Sequence, residues 1–401
     1  MSDFFKKCAA ALLAAGTAVI MTAGYCSQHL PDRFYCEGNE ALTLPYCVSA
    51  KPCQSDLEAS STSGSRKSTE TLMLFGSVPI KNVEKVSAER PMLMPCGEPF
   101  GIKLITQGVL IVGLCETNGK CSAQECGLEK GDVILSINGK PVSSNEQLGS
   151  IIAQSGGKPC EVSYERNGKQ KQTTLTPHLI GGAYKAGMWV RDSSAGIGTM
   201  TFYEASSGLF GGLGHPICDA DIKTPLPLSK GKTGEIRLTD YSRSRSGSPG
   251  WLTGDFVNSS GTGTVYKNCS CGVFGALYSP PKTKNPSLPM AFRQELHNGD
   301  AYIYTSIDTQ GPKKYSVRIS GIDLAGSKGH DFDVEITDPE LLEKTGGILQ
   351  GMSGSPVIQD GRLAGAVTHV LVDDPKCGYG IFADRMYAQL QDIPHELEKT
   401  G

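Results

Sequence analysis

After residue 26 the sequence has no second apolar run long enough to cross a bilayer, so at most one membrane segment is expected. It lacks a basic excess: 38 Lys and Arg against 41 Asp and Glu leave a net charge of −3, which gives no footprint for nucleic acid. It lacks a matched pair of Cys-x2-Cys elements, so a structural zinc site is not expected, and nothing calls for a cofactor. No heptad or long amphipathic pattern runs through the 401 residues, which argues against a helical bundle. What is abundant is 49 glycines and 23 prolines, the composition of short strands joined by many turns. A mainly β fold is expected.

The one apolar run is at the start. Lys6-Lys7 precede Cys8–Cys26, 19 residues that are almost wholly apolar. The positive flank predicts a cytoplasmic N-terminus and export of the rest. A cleaved signal and a retained anchor both fit; Thr22-Ala23-Gly24-Tyr25-Cys26 is a poor cleavage site and favours the anchor. Fourteen cysteines in an exported chain predict a few disulfides, although Cys269 and Cys271 are too close to bridge easily. Residues 55–71 read as a polar, serine-rich linker. The expected order is a membrane segment at 1–26, a Cys-containing segment and linker at 27–94, a small module at 95–178 and a larger domain at 179–401.

The densest chemistry lies in Gly351-Met352-Ser353-Gly354-Ser355-Pro356. Small neighbours let the chain turn tightly, clear space for a substrate carbonyl over the Ser353 hydroxyl, and free the N–H groups of Gly351 and Ser353 for an oxyanion. Asp360-Gly361 is a two-residue hairpin signal joining Pro356–Gln359 to Arg362–Val370. Chymotrypsin-like proteases place their serine in such a loop. A serine needs a base, and of seven histidines His215, in Gly211-Gly212-Leu213-Gly214-His215-Pro216, has the same cleared surroundings. His297 and His330 sit in polar, loop-like sequence. His369, on the strand after the hairpin, either borders the pocket for the substrate side chain before the scissile bond or is buried on the strand's other face, a difference of one residue in register.

Residues 96–177 show strand, turn and helix patterns in close succession: Val109–Leu114, Val133–Ile137, Asn138-Gly139, a helix over Asn145–Gln154, then Val162–Arg166 and Lys169–Thr174 across Asn167-Gly168. The run Gly127-Leu128-Glu129-Lys130-Gly131-Asp132-Val133-Ile134-Leu135-Ser136-Ile137-Asn138-Gly139 resembles a bacterial PDZ domain. Such a domain adds an extended peptide as a strand and holds its carboxylate with backbone N–H groups. Phe100-Gly101-Ile102 is the expected carboxylate loop.

From Ala183 to Tyr203, through Gly214-His215, Cys271-Gly272-Val273-Phe274-Gly275 and Gly347–Val370, the chain resembles the stage IV sporulation protein B family over about residues 95–390. The resemblance implies a PDZ domain followed by a chymotrypsin-like double β-barrel serine peptidase. It implies export from the forespore into the intermembrane space, self-cleavage, and cleavage of the regulator of an intramembrane metalloprotease, which leads to sigma-factor activation. The same resemblance points to Asp338 as the triad acid, with Asp219, Asp221 and Asp240 as rivals. The contrasting expectation is a catalytically silent, PDZ-bearing adaptor for membrane partners.

Overall fold

The computed structural model describes residues 2–38, 40–42, 44, 47–53, 67–116, 119–257, 261–281, 283–391 and 393. Helix α1 (Ser2–His29) contains Lys6–His29, long and apolar enough to cross a membrane. At its base Cys26 and Leu30 are buried against a four-stranded sheet of β1 (Arg33–Cys36), β2 (Val48–Pro52), β3 (Lys67–Leu74) and β4 (Val78–Ser87), in the order β1-β4-β3-β2. Leu72 and Leu74 of β3 point inward and alternate with half-buried Thr71 and Met73, the period-2 pattern of a strand with one face covered. The expected linker therefore divides: 54–66 lie outside the described residues, and 67–71 are strand.

Two strands organise the middle of the chain. After β5 (Met92–Pro95), β6 (Pro99–Leu114) runs 16 residues and serves two bodies. Its second half, with α2 (Ser122–Glu125), β7 (Val133–Ile137), β8 (Lys140–Pro141), α3 (Asn145–Gln154), β9 (Cys160–Arg166) and β10 (Lys169–Leu175), forms the PDZ domain. Ser144 caps α3 by accepting from the Gln147 N–H, and Leu148 and Ile152, one turn apart, reach a core of Val109, Ile111, Ile134 and Val162. Asn138-Gly139 and Asn167-Gly168 all have positive φ, the condition for the tight turns expected there. The hairpin of β11 (His178–Ile180) and β12 (Ala183–Lys185) then leads into β13 (Met188–Tyr203), which runs back antiparallel along β6.

The first half of β6 belongs to a barrel. It pairs with β13 on one side and β15 (Leu228–Ser242) on the other; β14 (Leu209–Gly212), β17 (Gly263–Cys269) and β18 (Gly272–Leu277) close the ring in the order β6-β15-β17-β18-β14-β13. β16 (Trp251–Phe256) lies outside it on β15. Two expectations are corrected here. The PDZ domain does not simply precede the peptidase: it is inserted between two strands of the first barrel. Phe100, Gly101 and Ile102 are not a carboxylate loop. They lie mid-strand, paired with Gly198, Ile197 and Gly196 on one side and Glu235, Gly234 and Thr233 on the other. Phe100 and Ile102 fill the barrel core, and a Cβ on Gly101 would fall 2.2 Å from the Phe256 ring.

Past β19 (Leu288–Pro289), which pairs with β5, the second barrel closes from β20 (Gly299–Thr305), β21 (Lys313–Ser320), β22 (Phe332–Ile336), β23 (Pro356–Gln359), β24 (Arg362–Val370) and β25 (Cys377–Phe382). α4 (Pro339–Thr345) leads to the serine loop, and α5 (Ala383–Tyr387) follows the barrel. Tyr315, Val317 and Ile319 alternate inward along β21 onto Phe332, Val357 and Phe382. The β23–β24 hairpin has the expected ends, turning at Asp360 and Gly361, both at positive φ. No disulfide links the described cysteines, contrary to expectation; Cys36, Cys96 and Cys160, for example, are buried as thiols in separate packing regions.

Candidate active site

The serine loop crosses between the barrels. Gly351 and Gly354 have φ of 104° and 97°, a region open to glycine, and a Cβ on Gly354 would lie 1.9 Å from the Thr199 oxygen. Met352 is buried beneath the loop, and its N–H donates to Leu349 O. The Gly354 N–H donates to Val367 O, and the Ser355 N–H and hydroxyl both donate to Met352 O. The N–H groups of Gly351 and Ser353 have no partner among the described residues, so both are free to donate to a ligand. The Ser353 hydroxyl donates to Thr368 O at 2.5 Å.

His215 leaves the first barrel through two left-handed residues, Leu213 (φ 67°) and Gly214 (φ 71°). Its Nδ1 lies 2.9 Å from Pro216 O. A carbonyl only accepts, so Nδ1 carries the proton and Nε2 is left with its lone pair, the tautomer a general base requires. Burial is the main cause that pushes the imidazole down to about 4; the Pro216 bond opposes this and His369 adds to it. His215 is therefore neutral at neutral pH. Asn268 on β17 steadies the segment: its Oδ1 accepts the Ile217 N–H at 2.8 Å, and its Nδ2 donates to Ile217 O and Leu226 O. The Pro216–Ile217 peptide is thus bonded at both ends, to the imidazole and to the carboxamide. Sequence reasoning missed Asn268, whose one signal is a lone amide beside Cys269 and the Cys271–Gly275 motif.

The two motifs meet at β13. Thr199 donates its N–H to Ser353 O at 2.9 Å and its hydroxyl to Gly351 O at 2.7 Å, while its own carbonyl accepts the Leu213 N–H. From the other side the Leu252 N–H donates to Gln350 O. His369 is exposed rather than buried on the strand's far face, and its ring lies 4.6 Å from that of His215. Thr368 is the buried neighbour.

The acid expected from the resemblance is engaged elsewhere. Asp338 is the N-cap of α4: Oδ1 accepts the Leu341 N–H and Oδ2 the Ser316 N–H, so its carboxylate serves backbone donors and not His215. The local reason is Asp-Pro at a helix start, where Asp fits the cap and Pro the first turn. Among the rivals, Asp219 is buried and accepts from Arg191, which also pairs with Asp221. Asp240 is exposed and accepts its neighbour's N–H. The partner at His215 Nδ1 is a peptide carbonyl.

The PDZ domain is hollowed between α3 and the start of β13. A cavity of about 310 Å³ is lined by Leu148, Gly149 and Ile152 on one side and Gly187, Met188 and Val190 on the other. Ala186 O accepts the Ala123 N–H and Gly187 O the Cys115 N–H, both inside the domain. Across planar trans peptides the N–H groups of Gly187 and Met188 then point the opposite way, outward. Ala186-Gly187-Met188 has the same apolar-Gly-apolar pattern that drew attention to Phe100-Gly101-Ile102. Among the described residues no group of three or more His, Cys, Asp or Glu gathers to hold a metal.

Comparison with known families agrees with this architecture. The family model described as SpoIVB peptidase S55 matches residues 182–387, just over half of the chain. The chain belongs to that family. A PDZ domain model matches residues 120–166 of the peptidase. Among curated proteins, the probable protease eep of Enterococcus faecalis is 40% identical over 55 residues, covering 14% of this peptidase and 13% of that protein. The zinc metalloprotease RasP of Shouchella clausii is 37% identical over 71 residues, 18% and 17% of the two chains. The matches thus span less than a fifth of either relative. Among solved structures, the Rv3671c protease from M. tuberculosis in its active form has a TM-score of 0.28 at 16% identity, covering 51% of this peptidase and 76% of that chain. The PDZ domain of the SdrC-like protein from Listeria monocytogenes has a TM-score of 0.19 at 20% identity, covering 21% and 87%. The chain is a serine peptidase with a PDZ domain and two six-stranded barrels.

Proposed function

We propose that this peptidase is an exported, membrane-associated endopeptidase that processes itself and cleaves a membrane-associated regulatory protein in sporulation signalling, upstream of sigma-factor activation. The observation that carries the chemistry is the tautomer of His215, locked by Pro216 O beside a serine loop with two unpartnered N–H groups. Ser353 Oγ leaves Thr368 O and attacks the scissile carbonyl as its proton passes to His215 Nε2. The oxyanion is received by the N–H groups of Gly351 and Ser353. The imidazolium then protonates the departing amine, and water, deprotonated by the same Nε2, cleaves the acyl-enzyme. Orientation of the base, the task of an acid in the familiar triad, falls here to the Pro216 carbonyl. His369, beside His215 on the strand bordering the cleft, is assigned to the pocket for the substrate side chain before the cut.

The PDZ groove supports docking of a peptide carboxyl terminus, from the substrate or from another copy of this chain, at Gly187 and Met188. Helix α1 supports attachment to the membrane, with the catalytic barrels on the exported side; the forespore intermembrane space follows from the family resemblance. The regulator of an intramembrane metalloprotease is the proposed substrate. The adaptor reading has two observations in its favour: the Ser353 hydroxyl is turned to Thr368 O, a bond that one side-chain rotation breaks, and His215 Nδ1 meets a carbonyl where a triad has a carboxylate. A fluorophosphonate probe separates the two: the full-length chain in detergent should label, Ser353→Ala should not, and new N-termini should appear on incubation of the wild type alone. A wild-type chain inert to the probe would support the adaptor.

A further inference from the structure

We propose that Thr199 is a positioning residue for acylation, holding the oxyanion-binding loop through its side-chain hydroxyl. This rests on the reading of Ser353 as the nucleophile. Gly351 has no Cβ and a positive φ, so nothing in its own side chain resists rotation of the flanking peptides. Two bonds from outside the loop hold it instead. The Leu252 N–H fixes Gln350 O in the peptide before Gly351, and the Thr199 hydroxyl fixes Gly351 O in the peptide after it. Without the hydroxyl, Gly351 O loses this donor and the peptide is held by one bond alone, from the Met352 N–H to Leu349 O, about which it can turn. That rotation shifts Met352 and, through it, the Ser353 hydroxyl and N–H against the Gly351 N–H, which the Leu252 bond keeps in place. The bond is donated by a side chain, so it can be removed while leaving the Thr199 N–H on Ser353 O in place.

A matched control lies on the same strand. Thr199 and Thr201 are two residues apart on β13 and are 1% and 0% exposed. The Thr199 hydroxyl bonds the serine loop, whereas the Thr201 hydroxyl has no partner among the described residues. Replacing either with Val removes a hydroxyl at nearly constant shape, but only one replacement releases the loop.

The test is the saturation kinetics of fluorophosphonate labelling on the full-length chain in detergent, with thermal melting run alongside. Thr199→Val should lower the maximal labelling rate about 10- to 100-fold, less than loss of an oxyanion donor itself, with the half-saturating concentration within about twofold. Thr199→Ser, which keeps the donor, should recover to within about threefold of wild type, and Thr201→Val should label at the wild-type rate. If Thr199→Val melts too low to purify, Thr199→Cys, a weak donor of similar size, takes its place with the same expected loss. An unchanged rate in Thr199→Val, equal slowing in Thr199→Val and Thr201→Val, or Thr199→Ser as slow as Val would overturn the proposal. A wild type that does not label, or a Ser353→Ala that does, overturns instead the nucleophile reading on which it rests.

Discussion

The serine loop and the PDZ mouth both present a pair of backbone N–H groups, at Gly351 and Ser353 in one and at Gly187 and Met188 in the other, but they are held differently. The serine loop is packed between the barrels over buried Met352 and tied by Thr199, Leu252 and Val367. The PDZ mouth is at an open strand edge and is held only from behind, through Ala186 O and Gly187 O. A developing charge that lasts for one bond vibration gains only from donors already in place, so the first cradle must be rigid before substrate arrives. A ligand carboxylate persists and can order its own site, so the second can remain an edge. β13 belongs to both, running from Met188 in the groove to Thr199 under the serine.

The largest effect should come from breaking the rigid cradle's chemistry. Ser353→Ala and His215→Ala should each lower proteolysis by about 10⁶-fold, and the double variant should be scarcely worse, because the two act as a unit. Substantial cleavage by either purified single variant would sink the assignment. Next comes a pair of glycine variants that separates the cradles. Gly187→Val puts a Cβ 2.7 Å from Cys115 O at a φ of 74°, and should abolish binding of C-terminal peptides while probe labelling stays within about twofold. Gly101→Val, in the barrel, should instead destabilise the fold by about 1–3 kcal/mol and reduce both functions together. Peptide titration and labelling on the same preparations decide this; loss of labelling in Gly187→Val would mean that the groove supports the barrel.

The electrostatics of the site give a sharper, smaller test. Because burial pushes His215 down to about 4, the labelling rate should hold through pH 6 and be halved only near pH 4. The folded value lies below the unfolded one of about 6.5, so the unfolded chain binds the extra proton first. The histidine's contribution therefore lowers stability as pH falls from 6.5 toward 4, and melting midpoints should follow. A rate halved at pH 6 to 7 would show that an acid reaches Nδ1 in the working enzyme. Asp338 offers the direct check. As an N-cap, Asp338→Asn should label within about threefold of wild type, since Asn caps as well as Asp, and Asp338→Ala should lose about 1 kcal/mol of stability. A loss near 10⁴-fold in Asp338→Asn would restore it as the triad acid. The smallest effect is expected from His369→Ala: unchanged labelling, with an altered preference before the cut on a peptide library.

Local signals carried much of the molecule. Turn chemistry at Asn138-Gly139, Asn167-Gly168 and Asp360-Gly361 placed hairpins because positive φ is a property of two adjacent residues. Apolar spacing placed α3 and α1, and the glycine-cleared Ser353 and His215 stood out because close packing around a reactive side chain needs neighbours without Cβ atoms. These are arguments over fewer than ten residues, and the amino-acid order alone contains them. Tertiary structure decided which apolar-Gly-apolar tripeptide has an open edge: Phe100-Gly101-Ile102 and Ala186-Gly187-Met188 read alike, but only the first has a strand on each side. It decided that the PDZ domain interrupts a barrel, because β6 and β13 each continue through both bodies without a break that residues could signal. It decided that Asn268 meets Ile217 and that Thr199 meets Gly351 of the serine loop. Both are hydrogen bonds between segments far apart in the chain, 51 residues for Asn268 and Ile217 and 152 for Thr199 and Gly351.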